Sequence, residues 1–283
     1  MTCRELYLLA RRRLGGAGVD SPGADAAALA QRFLGLDRAG LALHGEETPP
    51  PQREAAFLQA VEERAARRPL QYILGEWEFM GLPLAVGEGV LCPREDTAVL
   101  VEELARRLGE RPRPRGLDLC AGTGAVALGL RTLLPQAEVL CLELSDRVFP
   151  YLEENLRRHG KGLTAARKGD VLSPALAGEF VPGSLDFIAS NPPYIETGEL
   201  PGLQPEVRRE PALALDGGAD GLAFYRAIVQ LWAPLVKPGG LVAVEIGENQ
   251  GPAVERLFQQ AGLTAVETAQ DWAGLDRVVS GLR

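Results

Sequence analysis

One short segment carries residue types suited to holding a flat amino group. The residues Asn191-Pro192-Pro193-Tyr194 lie close behind a predicted strand at 185–189. Two successive prolines fix the backbone φ angles and donate no hydrogen bonds, so they predict a rigid loop whose carbonyl oxygens stay available. Asn191 adds a side-chain carbonyl, and the Tyr194 ring adds a flat apolar face. The segment predicts a site where two carbonyl oxygens accept the hydrogens of a planar NH2 group.

A glycine turn earlier in the chain is a second candidate. Residues 118–124 read Asp-Leu-Cys-Ala-Gly-Thr-Gly, an apolar strand that runs into a turn and opens a helix. Glycine lets a ligand approach the backbone, and the first turn of a helix has unpaired N–H groups. The dinucleotide fingerprint G-x-G-x-x-G is not met, because positions 120 and 127 are Cys and Ala. Alone, the turn suits either a ligand loop or a purely structural connection.

A carboxylate at the end of the next predicted strand strengthens the ligand interpretation. Glu143 follows Gly124 by nineteen residues, where doubly wound folds hold a ribose through its hydroxyls. An isolated glutamate there would be interpreted as a solvent-facing strand end. Together with the glycine turn and the loop at 191–194, it predicts one site at the carboxyl ends of neighbouring strands.

The elements that must position these residues alternate between strand and helix from Asp96 onward. Such alternation predicts a parallel, doubly wound sheet. Strands are predicted at 117–120, 139–142, 185–189 and 241–246, with two further candidates near the end of the chain. Helices are predicted around 99–108, up to about 134, and at 146–158 and 222–236, with a turn at 238–240.

The first seventy residues instead predict short helices. Thr2 and Glu5 match a capping box, Ser21-Pro22 matches a second helix start, and a third helix is predicted from Pro51 to about Arg68. Alternation at period two around Met80-Gly81 then predicts a β-hairpin. The expected parts are an all-helical domain at 1–72, a hairpin linker at 73–92 and an α/β domain at 93–283.

Composition and charge exclude several classes of function. The 283 residues are 46% hydrophobic, and no apolar run approaches the roughly 18 residues of a membrane span. Thirty basic against thirty-eight acidic residues give a net charge of -8, which disfavours general binding to nucleic acid phosphates. Residues 1–70 carry ten basic and nine acidic groups, so the remaining -9 belongs to 71–283. Four irregularly spaced cysteines and two histidines suggest a reducing cytoplasm and no metal site.

The motifs together resemble those of a known family. Residues 118–124, Glu143, Asp170 and 191–194 resemble the S-adenosylmethionine-dependent methyltransferases that modify amino groups on planar systems. A longer set resembles the peptide chain release factor glutamine methyltransferases, the HemK/PrmC family, and covers nearly the whole chain. That set consists of 68–75, Glu78-Phe79, Pro93-Arg94, 191–194, Glu210-Pro211, Ala214-Leu215, Gly217-Gly218 and Asp220-Gly221-Leu222.

The resemblance implies a fold and an activity. The fold would be a Rossmann-like class I methyltransferase sheet with a small all-helical N-terminal domain for substrate recognition. The cofactor would be S-adenosylmethionine, leaving S-adenosylhomocysteine as product. The methyl acceptor would be the side-chain amide nitrogen of the glutamine in the Gly-Gly-Gln motif of class 1 release factors, which act in translation termination. These factors are the expected partners of a cytoplasmic monomer, with no stable nucleic acid complex and no membrane association.

The resemblance also implies roles for individual residues. Cofactor binding is implied for the glycine turn, the ribose carboxylate, a pair beside the adenine and one loop residue: Cys120, Ala121, Gly122, Thr123, Gly124, Glu143, Asp170, Val171 and Asn191. Substrate binding is implied for Asn191, Pro192, Pro193 and Tyr194. Asn191, Pro192 and Tyr194 are also the candidate catalytic residues.

The sequence departs from the family pattern at several positions. Cys120 stands at the first glycine of the family's loop, and Glu143 replaces the usual aspartate. Val171 replaces a common aromatic residue, so stacking on the adenine from this position is expected to be lost. Ala98 replaces the second glutamate of the family's Arg-Pro-Glu-Thr-Glu motif, which reads Arg-Glu-Asp-Thr-Ala at 94–98.

Two other functions stay open at the level of sequence. An adenine-N6 DNA methyltransferase could use the loop at 191–194 in the same way, because adenine also presents a planar NH2 group. The -9 charge of residues 71–283 disfavours that function. A non-catalytic cofactor-binding module could keep the same fold, although the intact 191–194 loop disfavours a degenerate site.

Overall fold

The computed structural model describes residues 1–109 and 111–283. It divides the chain into two compact units. The first unit comprises Met1–Glu76 together with Gln204–Arg209, and the second comprises Trp77–Leu203 and Glu210–Arg283. The short segment 204–209 therefore belongs to the first unit although it lies far along the chain, an arrangement that no sequence pattern indicated.

The first unit consists of helices. They are α1 (Cys3–Gly16), α2 (Pro22–Leu29), α3 (Arg38–His44), α4 (Pro51–Ala65) and α5 (Leu70–Leu74), with a π-helical turn at Ala30–Leu34. The predicted capping box is present at α1, where Thr2 Oγ1 accepts from Glu5 N at 3.2 Å and Glu5 Oε2 accepts from Thr2 N at 2.9 Å. Ser21 makes no such side-chain bond, so α2 begins with Pro22 alone.

A buried arginine holds the 204–209 segment within the first unit. Arg64 Nε lies 2.6 Å from Asp25 Oδ2, and Arg64 Nη1 lies 2.7 Å from Glu206 Oε1. Arg67 Nη2 binds the other oxygen of Glu206 at 2.7 Å. The Arg64 side chain is only 8% exposed, so these ion pairs are largely shielded from water.

The second unit begins with a hairpin and continues as an α/β sandwich. The hairpin is β1 (Glu76–Phe79) and β2 (Leu82–Ala85). The strands of the large sheet are β3 (Arg115–Leu119), β4 (Glu138–Glu143), β5 (Thr164–Lys168), β6 (Leu185–Ser190), β7 (Val236–Glu245), β8 (Thr264–Gln270) and β9 (Asp276–Leu282). The helices are α6 (Thr97–Leu108), α7 (Ala125–Leu133), α8 (Phe149–His159), α9 (Pro174–Ala177), α10 (Ala223–Ala227) and α11 (Gly251–Gln260).

The large sheet has the strand order β5-β4-β3-β6-β7-β9-β8. The five strands β3 to β7 run parallel to one another, and β9 runs antiparallel to both β7 and β8. Phe187 and Ile188 are both fully buried but pack into different hydrophobic clusters, because successive strand residues point to opposite faces. The predicted doubly wound sheet is confirmed, with its last two strands in an antiparallel pair.

Two details of the predicted elements need correction around residues 222–246. The predicted helix at 222–236 changes type after α10, through a π-helical turn at Ile228–Trp232 to a 3-10 turn at Ala233–Leu235. Pro234 lacks the N–H that an α-helix would need there. The predicted turn at 238–240 lies within β7 as a bulge, since the register against β6 passes from Leu185 opposite Val236 to Phe187 opposite Leu241.

In the described residues, no helix combines the length and apolar character needed to cross a membrane.

Candidate active site

The carboxyl ends of the parallel strands open onto a cavity of about 290 Å³. This volume is near the lower limit of the usual range for small-molecule sites. Loops that follow β3, β4, β5 and β6 form most of its wall. Of the sequence-predicted residues, those lining it are Cys120, Ala121, Gly122, Thr123, Glu143, Asp170, Val171, Asn191 and Pro193. The sequence-predicted residues outside this lining are Gly124, Pro192 and Tyr194.

The glycine turn between β3 and α7 depends on left-handed backbone. Cys120, Gly122 and Gly124 have φ angles of 61°, 54° and 80°, in the region that glycine adopts most easily. Cys120 therefore occupies a glycine-like conformation. A Cβ atom on Gly124 would lie 2.9 Å from a methyl carbon of Leu152, so Gly124 acts through backbone shape and packing.

Glu143 ties the end of β4 to this turn. Its Oε2 accepts a hydrogen bond from Gly122 N at 3.0 Å, and its Oε1 accepts from Ser145 N at 2.8 Å. Only 8% of the residue is exposed. The backbone bonds fix the carboxylate on the cavity wall, and each oxygen keeps a lone pair for a further donor.

Asp118 is a carboxylate of the cavity wall that the candidate set did not include, although it begins the glycine motif. Its Oδ2 accepts from Ala127 N at 3.1 Å, while its Oδ1 has no hydrogen-bond partner among the described residues. Burial raises the pKa of Asp118 to about 7. The hydrogen bond from Ala127 N lowers this pKa, and the nearby Glu143 raises it. An unpartnered carboxylate oxygen on a buried residue of a cavity wall is suited to a cationic ligand group.

The wall beyond β5 combines a carboxylate with apolar surface. Asp170 Oδ1 accepts from Leu172 N at 2.8 Å. Val171 is 4% exposed, and its carbonyl accepts from the Trp232 indole at 2.8 Å. Val171 has no aromatic ring that could stack on an adenine. The cavity wall includes the ring of Phe224, which sequence reasoning missed because it lies in a distant helix.

The Asn191 side chain is oriented by a residue on another element. Its Nδ2 donates to Thr97 Oγ1 at 3.1 Å, and Thr97 is 3% exposed. Because the nitrogen is engaged by the protein, the amide oxygen Oδ1 is the acceptor left for a ligand. Thr97 lies in the 94–98 motif but was not singled out from the sequence, since a bond across ninety-four residues has no local signature.

The backbone at Tyr194 is held by Gln250 and packs closely against Gly217. Its carbonyl accepts from Gln250 Nε2 at 2.9 Å, and a Cβ on Gly217 would lie 2.7 Å from the Tyr194 Cα. Burial raises the pKa of the Tyr194 phenol to about 12, with a further rise from Glu245. The phenol therefore stays protonated at neutral pH.

An ion pair between the buried Glu210 and the partly exposed Arg94 joins two further segments of the wall. Glu210 is 5% exposed, and its carboxylate accepts from Cys92 N at 3.1 Å and from Arg94 Nη2 at 2.6 Å. Arg94 and Pro211 both line the cavity. Both partners of this pair were part of the resemblance noted in the sequence, and their contact joins the segments around 92–94 and 210–211.

Comparison with known proteins adds two family matches and several close relatives. Residues 5–75 match the family described as PrmC N-terminal domain, and residues 93–202 match the methyltransferase small domain. A release factor glutamine methyltransferase of Geobacter sulfurreducens is 41% identical over 281 residues, covering 99% of this chain and 96% of that protein. One from Moorella thermoacetica is 42% identical over 282 residues, covering 98% and 97%.

Solved structures are similar as well. A release factor-specific protein-(glutamine-N5) methyltransferase from Alicyclobacillus acidocaldarius is 28% identical, with a TM-score of 0.42, covering 71% of this chain and 99% of that one. A methyltransferase from Pyrococcus furiosus is 16% identical, with a TM-score of 0.51, covering 82% and 98%. The second likeness concerns the fold alone.

Proposed function

The chain belongs to the release factor glutamine methyltransferase family, and we propose that it methylates the glutamine of the Gly-Gly-Gln motif in class 1 peptide chain release factors. S-adenosylmethionine would supply the methyl group as its S–CH3 bond breaks and would leave as S-adenosylhomocysteine, and the methylated amide nitrogen would then lose one proton to solvent. The observation that carries this proposal is the Asn191 amide, whose nitrogen is bound to Thr97 while its oxygen is left as an acceptor beside the glycine turn.

The carboxylates of the cavity wall support S-adenosylmethionine as the cofactor. When bound, this cofactor supplies an electrophilic methyl group on a positively charged sulfur. The unpartnered Oδ1 of Asp118 suits the cofactor's amino group, and Glu143 suits the ribose hydroxyls. Asp170, Val171 and Phe224 form the part of the wall suited to the adenine. Three carboxylates around one small cavity favour a cationic ligand.

The loop at 191–194 supplies what an amide nucleophile needs. An amide nitrogen is a weak nucleophile because its lone pair is delocalised, so alignment with the methyl group is the main requirement. Positive charge develops on the nitrogen during transfer. The Asn191 Oδ1 and the Pro192 carbonyl accept the two NH2 hydrogens and stabilise that charge. No general base is needed before transfer, and the Tyr194 phenol, whose pKa is raised to about 12, stays neutral.

The proposal extends to the partner and the division of labour along the chain. The partners are class 1 release factors, whose motif acts in translation termination. The enzyme is cytoplasmic, as these partners are, and monomeric. The helical domain at 1–72 serves recognition, residues 73–92 form the linker, and 93–283 carry out methyl transfer. The match of 5–75 to the PrmC N-terminal domain supports a distinct N-terminal part.

Labelling with radioactive S-adenosylmethionine tests this function. The acceptors are a class 1 release factor, the same factor with the Gly-Gly-Gln glutamine changed to alanine, and unmethylated duplex DNA. We expect label on the wild-type factor alone. Label on DNA alone would make the enzyme an adenine methyltransferase, and cofactor binding with no label on any acceptor would indicate a non-catalytic module.

A matched pair of variants assigns the chemistry to the loop. We expect Asn191→Ala to abolish labelling while S-adenosylmethionine affinity falls only modestly, because the lost group holds the acceptor. Asn249→Ala, at an exposed position outside the cavity lining, should label the factor as the wild type does. An equal loss of turnover and cofactor affinity in Asn191→Ala would contradict the assigned role.

A further inference from the structure

A buried carboxylate that the proposed chemistry leaves unused lies beside the substrate loop. Glu245 ends β7, is 1% exposed, and has an Oε2 atom with no hydrogen-bond partner among the described residues. In the parallel pairing of β6 with β7, Ser190 lies opposite Val244. Asn191 follows Ser190 and Glu245 follows Val244, so the two residues are neighbours at the ends of adjacent strands.

Thr97 connects these two side chains. Thr97 Oγ1 accepts a hydrogen bond from Asn191 Nδ2 at 3.1 Å, so its own hydroxyl hydrogen is free to go elsewhere. Thr97 and Asn191 both lie close enough to the Glu245 carboxylate to lower its pKa. Because the Asn191 NH2 group is bound to Thr97, Oδ1 is the remaining acceptor of this side chain.

The surroundings of Glu245 make its charge state responsive near neutral pH. Burial raises the pKa of Glu245 to about 7 and nearby Asp96 adds to this, whereas Thr97, Arg277 and Asn191 lower it. Tyr225, from α10, donates its hydroxyl to the Glu245 backbone carbonyl at 3.0 Å. The pKa values of the Tyr225 and Tyr194 phenols are raised by burial, so neither phenol titrates near pH 7.

We propose that ionised Glu245, acting with Thr97, is a positioning residue that fixes the Asn191 amide with Oδ1 toward the substrate glutamine. This inference rests on the proposed function and deepens it. Only an ionised carboxylate is purely an acceptor, so it requires the NH2 end of Asn191 on its side. A protonated Glu245 also offers a donor, which allows the Asn191 amide to turn and present NH2 to the NH2 of the substrate. The negative charge also stabilises the cation that develops on the substrate nitrogen.

The turnover number as a function of pH tests the inference. Measurements run from pH 5.5 to 8.5 with saturating S-adenosylmethionine and release factor, so that cofactor binding does not contribute. In the wild type, kcat should fall as pH drops through about 7. Glu245→Gln should have a kcat lower by about 10- to 100-fold, the effect of a hydrogen bond to a charged group, and a flat profile over this range.

Two substitutions at Thr97 provide matched controls. Thr97→Ser keeps the hydroxyl and should keep both kcat and the wild-type pH profile. Thr97→Val has a similar shape without the hydroxyl, and its kcat should fall by about 10-fold or more with little change in the KM for release factor. Equal effects of Thr97→Ser and Thr97→Val, or a Glu245→Gln variant with the wild-type pH profile, would overturn the inference.

A measurement without substrate separates this inference from the proposed function. The chain has three asparagines, Asn155, Asn191 and Asn249, so selective 15N-asparagine labelling gives three side-chain amide signals. The Asn191 signal, assigned by its loss in Asn191→Ala, should shift with pH through about 7 in the wild type but not in Glu245→Gln. A pH-independent Asn191 signal in the wild type would overturn the inference. A titrating signal without label on any release factor would refute only the proposed function.

Discussion

Asp118 links the cofactor site to stability through one buried carboxyl group. Burial raises its pKa to about 7, and Glu143 adds a smaller rise, whereas the hydrogen bond from Ala127 N lowers the pKa. The native state therefore binds a proton that the unfolded chain has already lost between about pH 4 and pH 7. The stabilising contribution of the protonated form is present in acid and lost as pH rises through about 7.

We expect Asp118→Asn to reduce this loss. Urea unfolding at pH 5 and pH 8 without cofactor should show the wild type losing stability toward pH 8, by on the order of 3 kcal/mol more than the variant. Glu245, whose pKa is also raised to about 7, gives the same sign and stays in both proteins. Asp118→Asn should also weaken S-adenosylmethionine binding at pH 8, where the wild-type carboxylate is charged.

Asp186 is the matched control, at the other end of the sheet. Burial would raise its pKa, but hydrogen bonds from Arg115 N and Lys237 Nζ outweigh burial and lower the pKa. Its stabilising contribution is lost only in acid below the ordinary aspartate range. Asp186→Asn should thus change stability equally at pH 5 and pH 8. An Asp118→Asn protein with the same pH dependence as the wild type would contradict the assignment.

At the scale of elements, the sequence predicted what local patterns determine. The strands β3, β4 and β6 and the glycine turn follow from short apolar runs bounded by glycine and proline. The bulge in β7 did not follow, because Pro238-Gly239-Gly240 forms either a turn or a bulge depending on the neighbouring strand. The contacts of Thr97 with Asn191 and of Glu206 with Arg64 join residues far apart in sequence, and no pattern within one element reports them.

The ion pairs of Arg64 stabilise the first unit and hold the 204–209 segment in it. Arg64 is 8% exposed at the side chain and binds both Asp25 and Glu206. Arg64→Ala leaves two largely buried carboxylates without their shared partner, so we expect a loss of about 3 to 5 kcal/mol in the free energy of unfolding of the full chain. Faster limited proteolysis within 204–209 should accompany this loss, because the segment loses its main anchor.

An exposed ion pair in the same unit is the control for the loss of unfolding free energy in Arg64→Ala. Arg13 and Glu62 are 46% and 61% exposed at the side chain, so water screens their attraction. Glu62→Gln should change the free energy of unfolding by less than about 1 kcal/mol and leave proteolysis unchanged. Similar losses of unfolding free energy in Arg64→Ala and Glu62→Gln would show that burial does not make the Arg64 ion pairs more important for stability than an exposed pair.

At the scale of the whole molecule, the size of the acceptor group limits what the site alone can recognise. The proposed acceptor is a single glutamine side chain, held by the loop at 191–194. Contacts with a single glutamine side chain cannot offset the entropy lost when two macromolecules associate. Recognition of a release factor must therefore depend on protein surface outside the cavity.

This limit predicts a large difference between a release factor and a short peptide with the same Gly-Gly-Gln sequence. We expect kcat/KM for the peptide to be lower by about 100-fold or more, since binding energy from remote contacts also aligns the reacting groups. Steady-state methylation of both acceptors, with their glutamine-to-alanine versions as blanks, measures the ratio. Equal kcat/KM values would mean that the loop at 191–194 recognises its substrate alone, and that the rest of the 283-residue chain contributes nothing to selection.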